Sequence, residues 1–174
     1  MNKRELEKSI LEVMRKEFED NDMPAKICKQ NIAGTMLDVL RVLYSDDDDE
    51  KYGGMAEFTF SDTVLSADDV LYFSGYILIR KNLSKDIMPL VLKAAARLSF
   101  ALPYGSVLVN ETVGFVAFRL DTRVPSTLDR ESIELVINTN CAHLIELTTQ
   151  YSTVIADLID GELTYEEFTH IIEQ

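Results

Sequence analysis

The groups in this chain that could support catalysis or bind a metal are two histidines, two cysteines and thirty acidic residues. His143 and His170 fall on different predicted helices, and neither lies in an H-E-x-x-H or similar ligand spacing. Cys28 and Cys141 are far apart and form no C-x-x-C pattern, which predicts reduced, core-type thiols instead of a disulfide. We therefore expect neither a metal site nor catalytic residues among these groups.

One segment, Asp160–Phe168, matches the second half of a calcium-binding EF-hand loop, with glycine at loop position six and Glu167 at position twelve. In that register, positions one and three would be Ala156 and Leu158, which supply no oxygen ligand. A structural role accounts for the same residues, because a glycine ends helices and Thr164 with Glu167 forms a capping box. The segment therefore predicts the end of one helix and the start of a short terminal one.

Sequence motifs for nucleotide or acyl chemistry are missing as well. The chain has no G-x-S-x-G elbow, no G-x-x-x-x-G-K-[ST] loop and no G-x-G-x-x-G, and it has only seven glycines. Many carboxylates are present, but surface Glu and Asp side chains are mostly solvated and the sequence does not bring two of them together. We expect a protein that is not an enzyme and binds no cofactor.

Charge and hydropathy limit the partners. Thirty acidic against seventeen basic residues give a formal net charge of -13, which repels nucleic acid and anionic membrane surfaces. The segment Met1–Leu6 leads into mixed charge without the apolar region of a signal peptide, and no run approaches the roughly 18 apolar residues that span a bilayer. These features predict a cytoplasmic protein.

The longest apolar pattern lies between about Ser126 and Asp160, where residues recur at alternating spacings of four and three. This spacing keeps one seam of an α-helix against a partner surface. Flanking apolar residues widen the seam, so we expect a long helix that lies on a globular core. The seam residues are Ile133, Ile137, Asn140, Leu144, Leu147, Tyr151, Val154 and Leu158.

The other patterns predict two N-terminal helices, followed by two β-hairpins with a helix between them. The hairpins are expected over Met55–Arg80 and Val107–Leu120, and the helix between them over Lys85–Leu102. The fold class is therefore α+β: an antiparallel sheet from two β-hairpins, packed with a central helix and a long C-terminal helix and preceded by N-terminal helices. We expect one domain over 1–174, with a helical extension at 1–45, an acidic and glycine-containing linker at 46–54, an α+β core at 55–160 and a capped helix at 161–174.

Two of the predicted strands are apolar on both faces, although an antiparallel strand with one face in water usually alternates with polar residues. Both faces must therefore be covered. In one interpretation the central and C-terminal helices cover one face and the N-terminal helices the other. In the other, a second subunit or a client polypeptide covers one face or adds along a sheet edge. The candidate partner-binding residues are Tyr72, Tyr76, Val113 and Phe115.

The order of elements over roughly Met55 to Asp160 resembles the type III secretion chaperone-like fold, including the bacterial YbjN-type sensory transduction regulator family. The resemblance is carried by the hairpin from Val107 to Leu120 and by Val124-Pro125, which leads into the helix with Ile133 and Ile137. It implies a small acidic protein, often dimeric, that binds extended segments of other proteins without hydrolysing nucleotide. The two N-terminal helices and the short C-terminal helix depart from that pattern.

Two hypotheses on function follow. The first is a cytoplasmic protein-binding module, chaperone-like or regulatory, that docks a polypeptide or forms a homodimer through apolar sheet and helix surface. The second is an acidic regulator or immunity-type protein that neutralises a basic partner electrostatically, with Asp46 to Asp49 on its surface. Binding that resists salt would favour the first hypothesis, and binding that is lost at moderate salt would favour the second.

Overall fold

The computed structural model of the chain describes residues 2–32, 34–43, 54–61 and 69–173. Of the predicted acidic linker at 46–54, all but Gly54 lies outside the described residues. The elements in chain order are α1 (Lys3–Asp20), β1 (Ala25–Ile32), β2 (Thr35–Leu43), β3 (Met55–Phe60), β4 (Val70–Arg80), α2 (Met88–Ala101), β5 (Ser106–Asn110), β6 (Phe115–Pro125), α3 (Arg130–Asp160) and α4 (Tyr165–Ile172).

The strands form a six-stranded antiparallel sheet in the order β1-β2-β3-β4-β6-β5. Together with four helices, this sheet confirms the predicted α+β class. The long C-terminal helix is also confirmed: α3 has 31 residues, ends at Asp160 as expected, and begins at Arg130 instead of about Ser126. No helix in the described ranges has both the length and the apolar character needed to cross a membrane.

The prediction of a second N-terminal helix is wrong, because the chain forms the β1–β2 hairpin there. Its register runs without interruption from Ala25 opposite Val42 to Ile32 opposite Thr35. The apolar residues of this segment fit a helical spacing, but short apolar runs do not distinguish helix from strand. β-Branched residues such as Val39 favour the extended chain. Among the described residues of the predicted helical extension at 1–45, only α1 is therefore helical.

Residue contacts divide the chain into two compact units. The first unit contains α1, β1, β2 and β3, together with β4 up to Tyr76, β6 from Asp121 and α3 up to Ala142. The second unit contains α2, β5 and α4, with the remaining parts of β4, β6 and α3.

The core of the first unit is built on a stack of aromatic rings. Phe18 at the end of α1 stacks on Phe58 of β3 with the ring centroids 5.7 Å apart. Phe58 stacks in turn on Phe73 of β4 at 6.1 Å. A capping box between Asn2 and Glu5 stabilises the start of α1, the helix that carries Phe18. In it, each side chain accepts a 2.9 Å hydrogen bond from the backbone N–H of the other residue. The stack fixes α1 against one face of the sheet.

The first half of α3 lies on the same sheet face as α1. Its Asn140 accepts a 2.6 Å hydrogen bond from the hydroxyl of Thr122 on β6. The residues flanking Thr122 in β6 are Asp121 and Arg123, and they contact Ser74 and Tyr72 of β4. Since side chains alternate between faces along a strand, Thr122 shares its face with Phe73 and not with Tyr72. We call the face of Phe58, Phe73 and Thr122 the helix-covered face.

Within the first unit, this arrangement contradicts the interpretation in which the N-terminal and C-terminal helices cover opposite faces of the sheet. The helical segments described in that unit, α1 and the first half of α3, both lie on the helix-covered face. The opposite face carries a mixture of polar and aromatic side chains. We call it the polar-aromatic face. Its polar and aromatic members include Gln30, Arg41, Glu57, Tyr72, Ser74, Tyr76, Asp121 and Arg123, and the strand register places Lys26, Cys28, Val39, Leu43 and Met55 on it as well.

The second unit joins its helices to the strands by specific side-chain bonds. The hydroxyl of Ser99 on α2 accepts a 2.8 Å hydrogen bond from the N–H of Val107 on β5. Arg80 at the end of β4 donates to the carboxylate of Asp160 at the end of α3. The predicted capping box of α4 is confirmed: Thr164 accepts from the Glu167 N–H at 3.2 Å, and Glu167 from the Thr164 N–H at 2.8 Å.

Candidate functional site

The centre of the candidate site is a buried carboxylate on the polar-aromatic face. Glu57 on β3 is only 4% exposed and lies directly opposite Arg41 on β2. Arg41 donates through Nε to Glu57 at 2.5 Å and through Nη2 to Gln30 at 3.1 Å. Tyr76 of β4 donates its hydroxyl hydrogen to the second carboxylate oxygen of Glu57. Four strands thus each contribute one side chain to a connected polar cluster.

The cluster changes the ionisation of its members. Burial raises the pKa of Tyr76 well above its ordinary value, and the hydrogen bond to Glu57 raises it further. The hydrogen bond to Glu57 also raises the pKa of Arg41. Tyr76 is therefore a neutral donor and Arg41 a cation over the physiological pH range, and together they compensate the buried carboxylate.

A second group of side chains extends the polar-aromatic face beyond the cluster. The guanidinium carbon of Arg123 lies 5.7 Å from the ring centre of Tyr72, which is within the range of a cation–π contact. Ser74 donates a 2.6 Å hydrogen bond to Asp121. Both pairs join β4 to β6. The face thus combines aromatic surface with exposed groups that can donate and accept hydrogen bonds.

A cavity of about 230 Å³ lies beside the cluster, at the end of β1, β2 and β3 where β2 ends and β3 begins. The described residues of its lining are apolar apart from two cationic side chains, Lys26 and Arg41. Lys26 lies directly opposite Arg41 in the β1–β2 register. The remaining described residues of the lining are Pro24, Ala25, Leu43 and Met55.

The structure places the four predicted partner-binding residues in two groups. Tyr72 and Tyr76 lie on the same face of β4 in the first unit, and both are half-buried. Phe115 and Val113 belong to the second unit, where Phe115 is the half-buried first residue of β6. Val113 was predicted to start that strand, but it lies in the preceding turn and is 69% exposed. A residue in a turn does not share the face alternation of the strand, so Val113 is removed from the predicted apolar strand face.

The sequence did not reveal Arg41, Glu57 or Gln30 as site residues. Arg41 and Gln30 were not recognised because their segment fits a helical pattern, in which they would be about three turns apart and could not share a hydrogen bond. One signal was available: Glu57 lies between Ala56 and Phe58 in a predicted strand. A charged residue inside an apolar strand usually has a buried partner.

Among the described residues, neither histidine belongs to a cluster of potential metal ligands. His143 stacks on Tyr104 with the ring centroids 4.5 Å apart, and Tyr104 donates a 2.8 Å hydrogen bond to Glu146. Within the described ranges, no three His, Cys, Asp or Glu side chains lie close enough together to hold a metal ion. Of the two cysteines, Cys141 is buried and Cys28 is half-buried.

Comparison with known proteins adds no functional assignment. No protein-family model, no curated protein and no solved structure matches this chain. The geometry of the polar-aromatic face is therefore the basis of the functional argument.

Proposed function

We propose that this chain is a non-enzymatic protein-binding module that docks an extended segment of another polypeptide on the polar-aromatic face. The observation that carries the proposal is the placement of α1 and the first half of α3 on the opposite face. Tyr72 and Tyr76 are half-buried, and so still partly exposed, on a face that carries no described helix of the first unit.

The chemistry of the face supports a polypeptide partner. Tyrosine and arginine are enriched where proteins bind each other, because they offer large contact area together with hydrogen-bonding groups. Tyr76 is held by Glu57, so little rotamer freedom is lost when a partner binds against its ring. Asp121 and Arg123 are exposed, and their side chains can bond to a main chain that lies across the strands.

The same geometry favours binding over catalysis. An acid–base reaction needs a carboxyl group that can reach the substrate. Glu57 is the only buried carboxylate among the described residues, and Arg41 and Tyr76 already occupy its oxygens. We therefore assign Glu57 the role of holding Tyr76 and Arg41 in position.

The other predictions on function stay predictions. The acidic alternative rests on Asp46 to Asp49, which lie outside the described residues. The resemblance to secretion chaperone-like proteins points to the same class of function as our proposal. The cytoplasmic location and the homodimer likewise stay predictions that accompany this proposal.

Selection of random peptides on the full-length protein tests the proposal. We expect selected peptides to bind with an affinity that Tyr72→Ala lowers about tenfold, since a buried interface tyrosine contributes roughly 1–2 kcal/mol. Phe100→Ala is the matched control, because Phe100 lies on α2 in the second unit and is 86% exposed. Equal affinity for wild type and Tyr72→Ala, or a loss confined to Phe100→Ala, would contradict the proposal. Measuring the same binding at low and moderate salt separates it from the acidic alternative.

A further inference from the structure

The cavity beside the polar cluster combines two kinds of surface within a small volume. Lys26 and Arg41 lie side by side on β1 and β2. Leu43 and Met55 form the next pair along the same face of β2 and β3, and Pro24 completes the apolar part of the lining. No acidic residue is among the described residues of the lining. This pattern suits a ligand that is anionic at one end and apolar at the other.

Arg41 keeps donors that can serve such a ligand. A guanidinium carries five N–H donors, and the bonds to Glu57 and Gln30 use the Nε hydrogen and one Nη2 hydrogen. The Nη1 hydrogens and the other Nη2 hydrogen take no part in these two bonds. The Arg41 side chain is 34% exposed, so solvent and ligands can reach it. Glu57 fixes the guanidinium, which lowers the entropic cost of binding a carboxylate.

We propose that this cavity binds the C-terminal residue of the partner polypeptide, which requires a free carboxylate and an apolar side chain. The carboxylate lies between Lys26 and Arg41, and the side chain packs against Pro24, Leu43 and Met55. A cavity of about 230 Å³ is smaller than the roughly 300–1,000 Å³ of sites for drug-sized ligands, so it suits the end of one residue. A terminal residue carries both groups on one carbon atom, as this short cavity requires.

This inference rests on the proposed function, because the residues before the C-terminus would continue along the polar-aromatic face. Lys26, Arg41 and Glu57 form one cross-strand row on that face, and Tyr76 is bonded to the end of the row. A chain that leaves the cavity along this row reaches the ring of Tyr76. Capture of a carboxyl terminus beside an extended peptide is a known mode of recognition.

The probe is the tripeptide acetyl-Ala-Ala-Leu with a free C-terminal carboxylate, titrated into the full-length protein by calorimetry. Its C-terminal amide removes the charge and keeps the side chain. We expect the amide to bind about tenfold more weakly or worse, because hydrogen bonds to charged groups are worth more than neutral ones. Lys26→Gln should lower the affinity for the acid several-fold. Lys29→Gln is the matched control on the same strand, because Lys29 projects to the helix-covered face and pairs with Asp38 at 2.9 Å.

Each result supports or overturns the inference. Equal binding of acid and amide, or equal effects of Lys26→Gln and Lys29→Gln, would overturn it. If internal peptides selected on the polar-aromatic face bind while the carboxylate makes no difference, the cavity proposal fails and the proposed function stands. If neither class of peptide binds, both fail. If 4-methylpentanoate binds as tightly as the tripeptide, the cavity is a site for small carboxylates and the peptide assignment is wrong.

Discussion

Tyr76 and Glu57 are joined by a hydrogen bond that runs from a phenol on β4 to a carboxylate on β3. Glu57 is 4% exposed, and a carboxylate at such a depth is stable only when its oxygens have partners. Arg41 supplies the charge and Tyr76 supplies a neutral donor. The hydrogen bond between Tyr76 and Glu57 therefore stabilises the sheet and also holds the Tyr76 ring in place on the proposed binding face.

Removing members of this cluster should destabilise the protein by unequal amounts. We expect Tyr76→Phe to cost about 1 kcal/mol, because it deletes one hydrogen bond to a charged acceptor. Glu57→Gln should cost about 2 kcal/mol, since Arg41 is then left without its buried counter-charge but is still partly in water. Urea denaturation of both single variants and of the double variant gives the coupling between the two sites. Ser74→Ala, on the same face of β4, is the control and should change stability by less than about 0.5 kcal/mol. Additive effects of the two single variants would argue against the coupling.

The aromatic stack should be the most sensitive part of the first unit. Phe58→Ala removes the middle ring between Phe18 and Phe73, and we expect a loss of about 3–5 kcal/mol in the free energy of unfolding. Phe100→Ala deletes the same side chain at an 86% exposed position and should change stability by less than about 0.5 kcal/mol. Thermal and urea unfolding measure both. A loss below about 1 kcal/mol for Phe58→Ala would show that the stack does not hold α1 on the sheet.

Two glycines with similar backbone angles allow a clean test of close packing. Gly114 has φ +76, and a Cβ atom there would lie 2.9 Å from the carbonyl oxygen of Leu83. Gly161 has φ +77, and a Cβ atom there meets nothing within 4 Å. Both alanine variants should lose about 1–2 kcal/mol from the left-handed conformation. Gly114→Ala should lose a further 1–3 kcal/mol or so, because backbone must move to relieve the contact. Equal losses of the two variants in urea denaturation would contradict the close packing of Gly114 against the backbone of Leu83.

Alkaline pH should weaken the fold through the buried thiol of Cys141. Burial raises the pKa of Cys141 from 9.0 to about 12, so above pH 9 the unfolded chain loses a proton that the folded chain keeps. Stability contributed by this group is therefore complete below pH 9 and falls as pH rises toward 12, by about 1.4 kcal/mol per pH unit. Urea denaturation between pH 7 and pH 10 should show this decline in the wild type and a smaller one in Cys141→Ala. Cys28→Ala serves as the control at a half-buried thiol. Identical pH profiles for wild type and Cys141→Ala would contradict the assignment.

The sequence predicted the long-range architecture better than the site. The seam of α3 repeats over many turns, so the helix and its end at Asp160 were recognisable, and the capping box at Thr164 depends only on neighbours in sequence. The β1–β2 hairpin was missed, because a nine-residue strand with residues such as Val39 and Leu40 gives too short a pattern to separate strand from helix.

The polar cluster was missed for a related reason. Arg41 and Glu57 are 16 positions apart, and only the β2–β3 register brings them opposite each other. Register depends on tertiary packing and not on the local properties of either strand. Tyr72 and Tyr76 were recognised as candidates, because a period of two needs only the sequence of β4.

The position of β1 at the end of the strand order has a consequence for self-association. Its outer edge pairs with no other described strand, and such an edge is a template on which a second copy can add. Lys26 and Lys29 project to opposite faces of β1, so an antiparallel pair of two β1 strands centred on either residue would place lysines of both copies directly opposite each other on one face. The net charge of -13 adds repulsion between copies. The edge thus disfavours fibre-like growth of the chain on itself, while it remains compatible with a strand that carries acidic side chains.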